Sequence, residues 1–314
     1  MLEKILIIGP LGQDGNLLCS ILPKNEYEIW GICKPDTNDS RIDTFREKYS
    51  INIVKSDFTE YKNVKTCLSE IKPNIIVNFA GLTNVFNPWE NLDNIYELNC
   101  KLPLNVLRYI SENNTNIFFV QSSSSLMYGN SNQIKIDEKS PLSPLYPYGI
   151  TKAFVHNYIQ EFRKKYNVKC SSLILFNHES PYRNENFLSK KLAIFIAKIL
   201  KGESETLQLG NLSAIKDISH AYDFMVGLKM IIEKKINDDF VLSSGVRIKT
   251  YDFVERFFNL YNLDMQKYVK FVPDERNETL NIFGDNTKLK KIGWQPKYDV
   301  NKLINEMVNY ELWK

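Results

Sequence analysis

The sequence predicts an α/β protein: a doubly wound parallel sheet with a smaller C-terminal lobe. Three observations predict it. The first half carries short, nearly unbroken apolar runs, each is followed by a longer amphipathic or polar stretch, and a glycine turn follows the first run directly. Strands buried on both faces read as continuous apolar runs, and their alternation with helices gives a parallel sheet covered on both sides. The runs are KILIIG (4–9), EIWGIC (28–33), INIVKSD (51–57), IIVNFA (75–80) and NIFFVQSSS (116–124), with SSLILF (171–176) as a sixth strand. Beyond it the pattern loosens to a helix over 184–202, a strand over 240–244 and a helix over 250–263. Residues 1–170 are assigned to a dinucleotide-binding domain that shares later segments, about 171–180 and 210–245. Residues 181–314 form mainly a substrate lobe.

The 314 residues are enough for one large α/β domain or two domains sharing a cleft. The 43% hydrophobic and 25% charged content is that of an ordinary globular protein. Net charge is +3 and the basic pairs are dispersed, so nothing calls for nucleic acid. The five cysteines are odd in number, widely spaced and without a CxxC pair. That speaks against a disulfide framework or a metal site and fits a reducing cytoplasm. The N-terminal apolar run is too short to span a membrane, and no signal-peptide cleavage pattern follows it.

GPLGQDG places Gly9, Gly12 and Gly15 between the first strand and a helix, with Gln13 and Asp14 among them. A tight turn needs glycine, a pyrophosphate needs close backbone approach, and a helix N-terminus offers free N–H groups. This is a Rossmann-type dinucleotide signal. Ala80 and Gly81, ending the fourth run, are expected beside the same cofactor, with Asp57 and Phe58 after the third strand facing its adenine. NAD sites usually carry an acid at the end of the second strand. Here that place is Cys33, followed by Lys34. Lys34 can meet a 2′-phosphate, but one lysine lacks the fork of an arginine. The cofactor is read as NAD, with NADP as the alternative.

YPYGITKAF holds Tyr148 and Lys152 four residues apart, on one helix face. A lysine beside the phenol favours the phenolate, which takes a proton from a substrate hydroxyl as hydride leaves the same carbon. Ser124, about two dozen residues earlier at a strand end, supplies a hydroxyl for the reacting oxygen. These are the parts needed to interconvert an alcohol and a ketone on a nicotinamide cofactor.

With these motifs together, the chain resembles the extended short-chain dehydrogenase/reductases, and within them the GDP-mannose 4,6-dehydratases, over nearly its whole length. GPLGQDGNLL is similar to that family's GQDG opening, and LFNHESPYRNENFLSKK to its NHESP signature. LGNLSAIKDISHAYDF resembles its GNL segment, and FGDNTKLKKIGWQPK its GDP-to-GWxP ending. The resemblance implies substrate roles for Ser125, Leu126, Asn177, Arg183, Asn186, Gly210 and Lys216. It implies the same for Lys190 or Lys191 near the nucleotide, and for Arg276 and Glu278. His178 and His220 read instead as structural histidines in tight turns, and His156 as a packing or surface residue. The stretches 91–112 and 148–165 resemble the helices that pair in the family's four-helix bundle, which implies a homodimer. The loop KPDTNDSR carries less positive charge than the family's tetramer loop.

One departure matters. Where the family has a glutamate two residues before Tyr-Gly, this chain has Leu126 in SSSSLMYG. In dehydration that carboxylate removes the C5 proton and helps the C6 hydroxyl leave. General acid–base assistance is worth about 10²–10⁴ in rate, and leucine supplies none. The expected reaction therefore stops at a 4-keto sugar, made from GDP-mannose or a GDP-manno-heptose for surface polysaccharide. The reduced cofactor must then be released or its hydride passed to a second oxidant. Alternatives are the full dehydratase, a 4-keto-sugar reductase or epimerase, and a nucleotide-sugar-binding protein without activity.

Overall fold

The computed structural model describes residues 2–83, 89–113, 116–129, 131–203, 205–273 and 281–314. The first half alternates as expected: β1 (Glu3–Ile8), α1 (Gln13–Ile21), β2 (Tyr27–Cys33), α2 (Asp39–Tyr49), β3 (Asn52–Lys55), α3 (Tyr61–Ile71), β4 (Ile75–Asn78). A short α4 (Leu92–Tyr96) runs through a π turn (Glu97–Lys101) into α5 (Leu102–Glu112). Then come β5 (Phe118–Ser122), a 3₁₀ turn (Ser125–Tyr128), β6 (Lys135–Ile136), α6 (Pro147–Tyr166) and β7 (Cys170–Leu175).

The remainder is β8 (Asn177–Glu179), α7 (Leu188–Leu200), β9 (Leu207–Leu209), β10 (Ile215–His220), α8 (Ala221–Lys234), β11 (Phe240–Leu242) and β12 (Arg247–Lys249). It closes with α9 (Thr250–Asn259), α10 (Met265–Tyr268), β13 (Val269–Phe271), β14 (Phe283–Gly284), α11 (Thr287–Lys291) and α12 (Val300–Trp313). Among the described residues no helix is long and apolar enough to cross a membrane.

Seven strands form one parallel sheet in the order β11-β7-β5-β4-β1-β2-β3. The period-two alternation of a strand explains why β1 is apolar throughout. Ile5 and Ile7 join the core under α1 and α8, with Leu17, Phe224 and Leu228. Leu6 and Ile8 join the core under α3, α5 and α6, with Val64, Val106 and Ile159. The strand order reverses between β1 and β4, so a crevice opens at their C-terminal ends, where such sheets bind ligands.

Segments beyond residue 170 do return to this sheet, as β7 and as the edge strand β11. The shared stretch itself divides, because β8 leaves for a small sheet of order β12-β10-β8. A third core joins α7, α9 and α12 through Leu192, Phe257 and Leu303. Two helices are shorter than their apolar spacing suggests. α7 begins at Leu188, because the Asn184 side chain accepts from the Asn186 N–H and its carbonyl from Phe187 N–H, closing a turn. α9 ends at Asn259, and Asn262 takes a left-handed φ of 54° that no helix continues through.

Candidate active site

The glycine turn sits at the crevice. Gly9 has φ +83°, and a Cβ there would come 3.1 Å from the Ala80 backbone nitrogen at the end of β4. A Cβ on Gly15 would come 2.5 Å from the Pro10 carbonyl oxygen. Only glycine meets both demands. Gly12 begins α1 with no side-chain cap, which leaves the first N–H groups for an anion. This side-chain-free cradle at the switch point fits a dinucleotide pyrophosphate.

Gln13 and Asp14 have a further task. Gln13 Nε2 donates to the His178 carbonyl at 3.1 Å and Gln13 Oε1 accepts from Ser180 Oγ at 2.8 Å. His178 Nε2 meets both Asp14 oxygens at 3.1 Å. The two side chains thus tie the cofactor turn to the strand that begins the NHESP segment. Asp57 is taken up locally, accepting from Thr59 N–H and Oγ1–H. Phe58 is 1% exposed, its ring in the core and its carbonyl accepting from Asn105. The Phe58 ring is closed off in the core, whereas Asp57 is half-buried just past the C-terminal end of β3. Lys34 is exposed in a turn beyond Cys33. Burial pushes the Cys33 thiol up to about 11, against the opposing pull of Arg41, Arg46 and Lys55. Arg41, not anticipated from sequence, donates to the Leu11 carbonyl at 2.9 Å.

The groups expected to react lie just after β5 and on α6. Lys152 is buried, and its ammonium donates to the Ser122 carbonyl at 2.9 Å and lies 5.5 Å from the Tyr148 ring centroid. Ser124 caps the 3₁₀ turn, its Oγ accepting from Leu126 N–H at 3.2 Å, which leaves the hydroxyl hydrogen to donate. Ser125 is buried beside it and Leu126 is half-buried. The start of α6 lies so close on this turn that a Cβ on Gly149 would come 2.5 Å from the Leu126 carbonyl oxygen.

Sequence reading missed Asn99. It sits in the π turn, a geometry frequent at functional sites. Its Oδ1 accepts from Leu82 N–H at 2.8 Å; its Nδ2 donates to the Leu82 carbonyl and to Thr151 Oγ1. A Cβ on Gly81 would stand 2.9 Å from Asn99 Oδ1. One amide therefore orders the loop after β4 and joins it to α6. A buried amide inside an otherwise apolar helix face was the available signal.

On the substrate side, Asn177 donates to the Asp217 carbonyl at 3.2 Å, and Lys216 is half-buried on β10 opposite Ile248. The Asp217 carboxylate gathers Ser244 N–H and Oγ–H, Gly245 N–H and Gly284 N–H. Burial pushes its carboxyl above the usual range in spite of these bonds. Gly210 lines a shallow cleft of about 420 Å³ with Tyr251 and Phe271. Arg276 and Glu278 lie outside the described residues.

Arg183, Asn186 and Lys190 line a second cleft, whose other wall is α2. Arg183 Nε lies 3.2 Å from Glu179 and stacks on Phe187. Lys190 is buried, donates to the Pro181 carbonyl at 2.6 Å and pairs with Glu311 of α12. Its ammonium holds two helices together. Lys191 is exposed in the same first turn of α7. His220 caps α8 and meets Glu306, and His156 is packed between Ser172 and Gln160.

Solved structures share this architecture from end to end. The dTDP-glucose 4,6-dehydratase from Bacillus anthracis, in complex with NAD, superposes with TM-score 0.84 over 98% of this chain and 96% of its own, at 20% identity. RMD from Pseudomonas aeruginosa, complexed with NADPH, gives 0.82 over 99% and 100%, at 16% identity. The fold is that of the extended short-chain dehydrogenase/reductases. Within them the chain belongs to the GDP-mannose 4,6 dehydratase family, whose model matches residues 6–307. The human GDP-mannose 4,6 dehydratase is 29% identical over 341 residues, covering 98% of this chain and 91% of the human protein. The chain spans 60% of the longer GDP-mannose 4,6-dehydratase sdnI of Sordaria araneosa, also 29% identical. Membership makes it a nicotinamide-dependent enzyme that modifies a nucleotide sugar.

Proposed function

We propose that the protein oxidises C4 of GDP-mannose or a GDP-manno-heptose and stops at the 4-keto sugar. The observation that carries this reading is Leu126, half-buried on the catalytic turn where the family resemblance places a glutamate. The next acids along the chain are engaged elsewhere. Asp137 accepts from Ser140 Oγ–H and Lys139 N–H, and Glu138 from the Val241 N–H of the edge strand.

A bound nicotinamide supplies the hydride acceptor. Gly9, Gly12, Gly15, Ala80 and Gly81 would hold that cofactor. Tyr148 takes the proton of the C4 hydroxyl, Lys152 steadies the phenolate, and Ser124 donates to the oxygen as the carbonyl forms. Asn177, Gly210 and Lys216 support the nucleotide sugar. No group on the 3₁₀ turn removes the C5 proton or protonates a departing C6 hydroxyl, so water is retained.

The competing reading is full 4,6-dehydration, favoured by the family match over residues 6–307. Mass spectrometry of the product made with NAD or NADP separates the two. A GDP-sugar lighter by two hydrogens supports oxidation, and loss of water overturns it.

We read the assembly as a homodimer through α6. Ile150, Phe154, Tyr158 and Tyr166 are exposed at four- or eight-residue intervals along one face of that helix, 46%, 36%, 42% and 49% respectively. Such an apolar stripe calls for cover. Light scattering should give twice the chain mass, and a monomer for Phe154→Glu/Tyr158→Glu.

A further inference from the structure

The cleft between α2 and residues 181–186 encloses about 830 Å³ and is lined by none of Ser124, Tyr148, Lys152 or the three glycines of the turn. Its lining holds five cations, Arg41, Lys48, Arg183, Lys190 and Lys314, against a single acid, Glu185. Three of the five already have carboxylate partners: Arg183 with Glu179, Lys190 with Glu311, and Lys314 with Glu185. Arg41 and Lys48 have none among the described residues. Arg41 spends one N–H on the Leu11 carbonyl, and Lys48 lies over the Tyr49 and Tyr182 rings with one bond to the Tyr182 hydroxyl. Most of their donors are uncommitted. The buried Arg183 Nε, although near Glu179, makes no directed hydrogen bond.

We propose that this cleft is a second anion site, taking a small molecule with a diphosphate or two separated phosphates, held by Arg41 and Lys48. Seven residues make close to two full turns, so Arg41 and Lys48 project from one face of α2 and line the same cleft. The Tyr182 wall offers an aromatic surface to any ring attached to it. The site adjoins the cofactor turn at two points, Arg41 on the Leu11 carbonyl and Arg183. Arg183 lies near enough to Asp14 and His178 to act on both charges. An anion drawn toward Arg183 therefore bears on the pair that braces the cofactor turn.

The test uses inorganic pyrophosphate as probe and the full chain saturated with NAD and GDP, so that the cofactor and nucleotide sites are filled. Calorimetry should show one pyrophosphate bound per chain. Arg41→Gln/Lys48→Gln should weaken it at least tenfold and leave the GDP affinity unchanged. Both side chains are exposed, so the variant keeps its fold, checked by an unaltered melting temperature. Equal pyrophosphate affinity in the variant overturns the proposal. So does pyrophosphate binding seen only when GDP or NAD is omitted, which would assign the anion to the catalytic cleft. Loss of GDP affinity in the variant overturns it as well, because the two sites would then be one.

Discussion

The Gly149 Cα faces the Leu126 carbonyl so closely that any β-carbon would lie 2.5 Å from that oxygen. The pair fixes the separation between the serine turn and the helix carrying Tyr148 and Lys152. The leucine that stands where the family resemblance places a glutamate and the glycine that follows Tyr148 are thus parts of one contact.

Gly149→Ala must push the helix away from the turn. Overpacking of this kind costs about 1–3 kcal/mol, and a displacement of about 1 Å at reacting groups can cost about 10² in rate. The expected result is a lower melting temperature with a much larger loss in kcat. Unchanged turnover would show that the close approach does not set the catalytic geometry.

Tyr148→Phe removes the hydroxyl proposed to accept the proton and leaves the cradle intact. Turnover should fall by about 10²–10⁴ while GDP-sugar affinity, measured by calorimetry, stays within a few-fold. Retained turnover would assign the base elsewhere.

Leu126→Glu restores a carboxylate to the turn. A dehydrated product, absent from the parent, should then be detectable by mass spectrometry beside the oxidised one. If the variant still oxidises C4 and never loses water, residue 126 does not face C5.

The Asp14–His178 pair gives stability a pH signature. Burial opposes the charge on His178, but Asp14 and the Phe176 carbonyl outweigh it and hold the imidazole above its usual range. Burial also opposes the Asp14 charge, and His178, Arg183 and Gln13 outweigh it and hold the carboxyl low. A raised histidine contributes below about pH 6.5 and fades as pH rises through its folded value. A lowered carboxyl contributes above about pH 3.9 and fades as pH falls. The melting-temperature difference between parent and His178→Gln should be largest between about pH 4 and 6.5 and shrink above. Taking the difference cancels His156, which burial shifts downward. A difference constant from acid to alkaline pH would contradict the pair.

Lys190 and Glu311 are 3% and 8% exposed. Removing one charge leaves the other buried and alone, at a cost of roughly 3–5 kcal/mol. Lys190→Met should therefore lower the denaturation midpoint strongly, and Lys190→Met/Glu311→Leu should recover most of it. A double variant as weak as the single one would show that the lysine serves something other than its partner.

What could be read from the sequence was local. Ile5 to Ile8 announce a strand buried on both faces, and Tyr148 and Lys152 share a face because a helix repeats near four residues. The sequence places Ser124 at a strand end, and it caps the 3₁₀ turn two residues past the last residue of β5. What escaped notice depends on partners distant in the chain. Asn99 acts on Leu82 and Thr151, and Lys190 is claimed by a carboxylate 121 residues later. The resemblance placed Lys190 near the nucleotide, and only the packing of α7 on α12 reveals its engagement. Asp57 and Phe58 follow the third strand as expected, with Asp57 Oδ1 engaged by Thr59 and the Phe58 ring packed in the core.

The bonds from Gln13 and Asp14 to Ser180 and His178 bridge 167 and 164 residues. Contacts so distant close late on a folding pathway, because chain entropy must be spent before they form. The dinucleotide turn is thus translated first but anchored among the last. A fragment ending at residue 170 would contain every glycine of the motif and none of its distant anchors. Cofactor binding would then report the completion of folding for the whole chain rather than the assembly of its first half.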